Sequence, residues 1–79
     1  MLSITTLAYI TISTEIGGEK EVMERLSAIS EVKEVHEVYG VYDLVVRVET
    51  DKISELKDTL DEKIRSLDGV RSTLTMIVI

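Results

Sequence analysis

The sequence predicts an α+β fold: one four-stranded antiparallel sheet with two helices on a single face, in the chain order β-α-β-β-α-β. Three observations predict it. Two stretches carry apolar residues at helical spacing, four stretches are rich in β-branched residues, and glycines stand where the period changes. The 79 residues suffice for one core, so the chain reads as a single domain over residues 1–79. A chain this short buries only about 60% of its unfolded surface, which leaves it marginal on its own and favours association.

The first strand is Ile4 to Ile12, a run of Ile, Thr, Leu, Ala and Tyr. Gly17-Gly18 closes it as a strand-to-helix turn. Beyond Glu19 the period lengthens: Val22, Leu26 and Ile29, with Met23 beside them, form the apolar stripe of an amphipathic helix that keeps Glu19, Lys20, Glu24 and Arg25 outside. Val32 to Val38 and Tyr42 to Glu49 are the second and third strands, joined across Gly40 by a tight turn. Thr50-Asp51 supplies a capping side chain for the second helix, whose stripe is Ile53, Leu56, Leu60, Ile64 and Leu67. Gly69 ends that helix, and Val70 to Ile79 is the last strand. Right-handed crossovers place both helices on one side and give the strand order 4-1-3-2, the ferredoxin-like arrangement.

Steady alternation along the strands assigns the faces. Ala8, Ile10, Ile12, Leu44, Val46, Val48, Leu74, Met76 and Val78 are expected under the helices. Leu7, Tyr9, Thr11, Asp43, Val45, Arg47, Thr73, Thr75 and Ile77 are expected on the other face, which has no cover within the chain. A contiguous apolar patch of that kind marks an interaction site. Leu7, Tyr9, Val45 and Ile77 are therefore assigned to a two-fold homodimer in which two sheets cover each other.

Composition removes several functions. A net charge of −6 argues against nucleic acid and against anionic membranes as partners. The chain lacks cysteine, so disulfides are out, and one histidine with no thiol makes a structural zinc site improbable. No cofactor is expected. Met1 to Ile12 has no basic residue ahead of it and is broken by Ser3, Thr5, Thr6 and Thr11, which is unlike a signal peptide, so the cytoplasm is the default location. The absence of Asn, Gln and Cys beside 30% charged residues leans towards a thermophilic source.

His36, flanked by Glu34 and Glu37 on an edge strand, fits a solvated side chain better than a catalyst, and no nucleophile–base set can be assembled around it. Gly17-Gly18 lacks the phosphate-binding fingerprints. Two other stretches carry recognition chemistry. Tyr39-Gly40-Val41-Tyr42-Asp43 gathers a glycine turn, two phenols and a carboxylate, and Val70 to Thr75 places hydroxyls at Thr73 and Thr75. An amino acid's ammonium could use Asp43, and its carboxylate could use turn N–H groups and threonine hydroxyls. Turn capping by Asp43 and the strand propensity of threonine explain the same residues equally well. With the first and third strands taken as parallel and the fourth as opposed to them, Asp43 and Thr73 fall at opposite ends of the sheet, so a shared site has to lie between subunits.

Glu37 to Val46, with its Gly-x-Tyr-Asp turn, and Gly69 to Val78, with its Gly-Val-x-x-Thr-x-Thr pattern, closely resemble the two signatures of the RAM domain, the effector-binding half of Lrp/AsnC-type transcriptional regulators. The resemblance covers the whole chain. It implies sheet-to-sheet dimers, further association into rings such as octamers or decamers, and small amino-acid-like effectors bound between dimers around the Gly-x-Tyr-Asp turn. By that resemblance Gly40, Tyr42 and Asp43 meet the ligand, and a neighbour contributes Thr73 and Thr75. The helix-turn-helix of those regulators is absent from these 79 residues, which reads as a stand-alone form with a full-length regulator as a further partner. Tyr39 stands where the regulators commonly have threonine, which alters pocket size and ligand preference. Two other functions fit the same pattern: a purely structural assembly module, or an enzyme of the dimeric α+β barrel type using His36 or Tyr42. An amino-acid-binding ACT-like domain shares the strand order but fits the two signatures less well.

Overall fold

The computed structural model describes residues 5–79. Ile4, where the first strand was expected to begin, and the rest of residues 1–4 lie outside the described residues. The elements are β1 (Thr6–Thr14), α1 (Glu19–Ser27), β2 (Val32–Glu37), β3 (Leu44–Thr50), α2 (Ile53–Asp58) with a π-helical continuation (Thr59–Ile64), and β4 (Val70–Ile77). The sheet order is β2-β3-β1-β4. This is the expected ferredoxin-like α+β fold.

Strand direction corrects one expectation. β1 is antiparallel to both β3 and β4, so β3 and β4 run the same way and both begin beside the end of β1. A crossover helix returns the chain to its starting end, so the strands on either side of it must share a direction. Asp43 and Thr73 thus lie at the same end of the sheet, not at opposite ends. Asp43 N donates to Ile12 O at 2.9 Å, and Thr73 is registered with Ile12 from the other side. Strand direction therefore gives no ground for requiring a site between subunits.

The core forms where alternation on β1 and β3 meets the helix stripes. Ala8, Ile10 and Ile12, then Leu44, Val46 and Val48, lie buried against Val22 and Leu26 of α1 and against Leu56, Leu60 and Ile64 of the second helix. The 4-4 spacing of the last three residues suits the wider π turn, in which Arg65 N bonds to Leu60 O at 2.9 Å, five residues back. Ile53, the first residue of the expected stripe, is 60% exposed. The expected cap is also replaced. Lys52 is the N-cap residue and makes no side-chain cap bond, while the Thr50 hydroxyl donates to Lys52 O at 2.8 Å.

Two extra residues interrupt the alternation. On β2, Val32 faces Val48 and Glu34 faces Arg47, so Lys33 is bulged out. On β4, Val70 faces Thr14 and Ser72 faces Ser13, so Arg71 is the additional residue. Two residues opposite one shift every later side chain to the other face. The β4 assignments are therefore reversed. Thr73, Thr75 and Ile77 lie on the helix face, in register with Ile12, Ile10 and Ala8, whereas Leu74 and Met76 stand opposite Thr11 and Tyr9 on the open face. Leu74, Met76 and Val78 are each about half exposed. Ile77 is thus removed from the expected sheet-to-sheet interface.

Gly69 links the second helix to β4 with φ +94°, and a Cβ there would meet Val22 Cγ2 at 2.9 Å. Gly69→Ala should lower stability by about 1–2 kcal/mol from the backbone conformation alone, with the Val22 overlap adding to it. Gly40→Ala, where nothing lies within 4 Å of the added Cβ, should show the backbone effect without the overlap. Urea denaturation of the two variants checks the difference.

Candidate functional site

The chain between β2 and β3 is a longer excursion than the tight turn expected. The strands stop at Glu37 and resume at Leu44, and Val38 N donates to Asp43 O at 2.9 Å across the base. Gly40 adopts φ +144°, a conformation open to glycine and strained for other residues. Tyr39 and Val41 on either side of it are fully or nearly fully exposed. Tyr42 and Asp43, closer to the sheet, are half-buried.

Asp43 anchors this excursion to the sheet. Besides its two backbone bonds, its Oδ2 accepts from Thr14 N at 2.8 Å and lies 3.3 Å from Thr14 Oγ1, which donates to it. β1 ends at Thr14 and the bulged Arg71 disturbs the ladder there, so the Thr14 N–H draws its bond from a side chain. The carboxylate also borders a hollow of ≈ 290 Å³ lined by Glu19, Glu37, Val38, Tyr39 and Asp43. Glu19 reaches it because the Gly17-Gly18 turn sets α1 beside this end of the sheet. No sequence signal connects Glu19 with the turn, whereas Glu37 opens the Glu37 to Val46 stretch that contains it.

The hydroxyls of the second stretch point away from the open face. Thr73 Oγ1 accepts from Arg65 Nε at 3.1 Å, and Arg65, Val70, Arg71, Ser72 and Thr73 line a second hollow of ≈ 270 Å³. Thr75 Oγ1 is shut off from solvent without a hydrogen-bond partner. Thr73 therefore shares the turn's end of the sheet, while Thr75 sits further along β4 under the second helix. Arg65, the residue that follows the π-helical stretch, carries no sequence mark of its approach to Thr73.

The open face divides into two halves. Leu7, Tyr9, Leu74, Met76 and Val78 gather on β1 and β4, with Val45 next to them on β3. Beyond Val45 the face becomes charged: Arg47 donates through Nε to Glu34 and through Nη1 to Glu49. His36 stands opposite Val45, with its Nε2 3.1 Å from Glu34 Oε1. The hydrogen bond to His36, then the hydrogen bond and charge of Arg47, hold the Glu34 carboxyl below its usual range. Among the described residues no cluster of three potential metal ligands occurs, and no helix is long and apolar enough to cross a membrane.

The family model of the Lrp/AsnC ligand binding domain matches residues 7–79. The chain belongs to that family. No curated protein matches the chain. Among solved structures, FFRP-DM1 is 49% identical with TM-score 0.91, covering 94% of this chain and 99% of its own. AsnC of Escherichia coli is 27% identical with TM-score 0.90, over 94% of this chain and 50% of AsnC. A transcriptional regulator of Neisseria meningitidis, solved as a complex with L-methionine, shares the fold at 14% identity and TM-score 0.87, over 94% of this chain and 49% of that one. The Lrp/AsnC domain described here thus spans about half the length of these regulators.

In this Lrp/AsnC domain the anchoring role of Asp43 can be separated from its charge. Asp43→Ala leaves the Thr14 N–H without an acceptor and should cost about 1–3 kcal/mol. Asp43→Asn keeps a carbonyl oxygen there and should retain most of that stability in chemical denaturation. Glu34 supplies a pH signature. Its lowered folded pKa stabilises the fold above the ordinary carboxylate pKa, and that contribution disappears as the pH falls through the folded value. Glu34→Gln should flatten the acid limb of a stability–pH curve relative to the parent.

Proposed function

We propose that this chain is a homo-oligomeric sensor in which two copies cover each other's open faces and a small amino-acid-like effector binds between subunits. The observation that carries the reading is the open face itself. Leu7, Tyr9, Val45, Leu74, Met76 and Val78 converge on the side of the sheet that no helix covers, and covering the half of each that is still exposed contributes roughly 1 kcal/mol per residue. The charged half around Arg47 then falls towards the margin of the contact, where its ion pairs stay hydrated. Tyr9, Leu7 and Val45 keep their expected interface role, and Leu74, Met76 and Val78 take the place of Ile77.

The effector reading rests on the family and on two incomplete hollows. Each is a shallow hollow of ≈ 270 or ≈ 290 Å³, and a second wall from a neighbouring copy would enclose an effector there. Glu37 and Asp43 suit an ammonium, while Tyr39, Gly40, Val41 and Tyr42 shape the side-chain space. The hollow with Arg65, Arg71 and Thr73 suits a carboxylate and, in the assembly, comes from a neighbour. Thr75, closed off from solvent, takes no part. An amino acid is also the ligand class in the L-methionine complex of the Neisseria regulator. In a cell the domain would couple effector level to assembly, or to association with a full-length regulator, with a ring of dimers as the assembled form.

One observation favours a second reading, a purely structural module: Asp43 Oδ2 already serves Thr14, so the carboxylate has a role without any ligand. Thermal shift against the twenty amino acids separates the two. A binder should raise Tm by mass action, and Asp43→Asn should remove that response while the oligomer persists. No shift at millimolar concentrations of any amino acid would leave the structural module. Sedimentation tests the shared premise, since Leu74→Asp and Met76→Asp should each yield folded single chains where the parent is at least a dimer.

A further inference from the structure

The bulge at Arg71 leaves the space between α2 and β4 short of large side chains. Thr73 and Thr75 face the helices there, while Leu74 and Met76 are turned away. What remains is a hollow of ≈ 400 Å³ lined by Ile53, Leu56, Lys57, Leu60, Thr75 and Ile77. It is larger than either hollow at the other end of the sheet, and it falls within the size range of small-molecule sites, about 300–1,000 Å³. It opens on the helix side, away from both the open face and the Tyr39–Asp43 excursion.

Its chemistry narrows the occupant. The walls are aliphatic, and two of them are wet in the isolated chain, Ile53 at 60% and Ile77 at 44% exposure. The Thr75 hydroxyl is buried behind one wall without a partner, so that wall is closed and apolar towards the hollow. Lys57 is the one charged residue of the lining, and it makes no ion pair among the described residues. An ammonium with no ion pair among the described residues, beside an aliphatic trough, complements a molecule with an apolar body and a single negative head. We infer that the α2–β4 hollow binds a small apolar monocarboxylate, its body against Ile53, Leu56, Leu60 and Ile77 and its carboxylate on Lys57 Nζ.

Octanoate titrated into the intact protein, followed by methyl NMR, tests this. The methyl signals of Ile53, Leu56, Leu60 and Ile77 should shift saturably, while those of Leu74 and Met76 on the open face stay put. Lys57→Gln should weaken octanoate several-fold yet leave octanol, which has the same tail without the charge, unchanged. Ile77→Trp, which fills the hollow from its exposed wall, should abolish both. Three results would overturn the proposal: no saturable shift at those four residues, equal weakening of octanoate and octanol by Lys57→Gln, or shifts of the same methyls that follow protein dilution instead of octanoate. The last would mean that a second copy occupies the hollow. None of these results bears on the amino-acid response, which is read at Asp43.

Discussion

β4 carries one residue more than β1 can pair, and that surplus governs both sides of the sheet. If Arg71 were part of a steady ladder, Leu74 and Met76 would continue the phase of Val70 and fill the space beneath the second helix. Bulged, it turns them outward and brings Thr73 and Thr75 in. The same step enriches the open face in apolar area and depletes the layer under α2. A chain this small has little apolar surface in reserve. Displacing two large side chains from its interior makes the uncovered face the natural place to recover that burial.

The two halves of the candidate region behave differently for the same reason that they are built differently. Asp43 is tied through its N–H, its carbonyl and one carboxylate oxygen to Ile12, Val38 and Thr14, so the base of the excursion is part of the sheet. Tyr39 and Val41 have no such ties and stand in solvent on either side of Gly40. A carboxylate tied into the sheet thus lies beneath an exposed tip that carries Tyr39 and Val41.

Much of this was legible in the residues, and the failures share a cause. Element order, the Val22–Leu26 and Leu56–Leu60–Ile64 stripes, and the alternation of β1 and β3 all follow from regular periods, and regular periods are what a sequence displays. The bulges at Lys33 and Arg71 and the π turn break the period without any marker residue, so the face of every β4 side chain after Arg71 was misassigned. The turn at Gly40 could be read from its glycine, though not its full length. The partnership of Asp43 with Thr14, 29 residues earlier, depends on which strand lies alongside, and spacing does not encode that. Strand direction, by contrast, follows from the crossover rule, which makes β3 and β4 parallel.

The sheet has two free margins, and they are not equally defended. β2 presents Lys33, Glu34, His36 and Glu37 along its length, with an extra residue that twists its ladder, the devices by which an outermost strand refuses a foreign one. β4 is bulged only at its start and then runs through Thr73, Leu74, Thr75, Met76 and Ile77 without a charge. Any lengthening of the sheet by a borrowed strand, from another chain or from a misfolded copy, would therefore proceed from the β4 margin and not from β2.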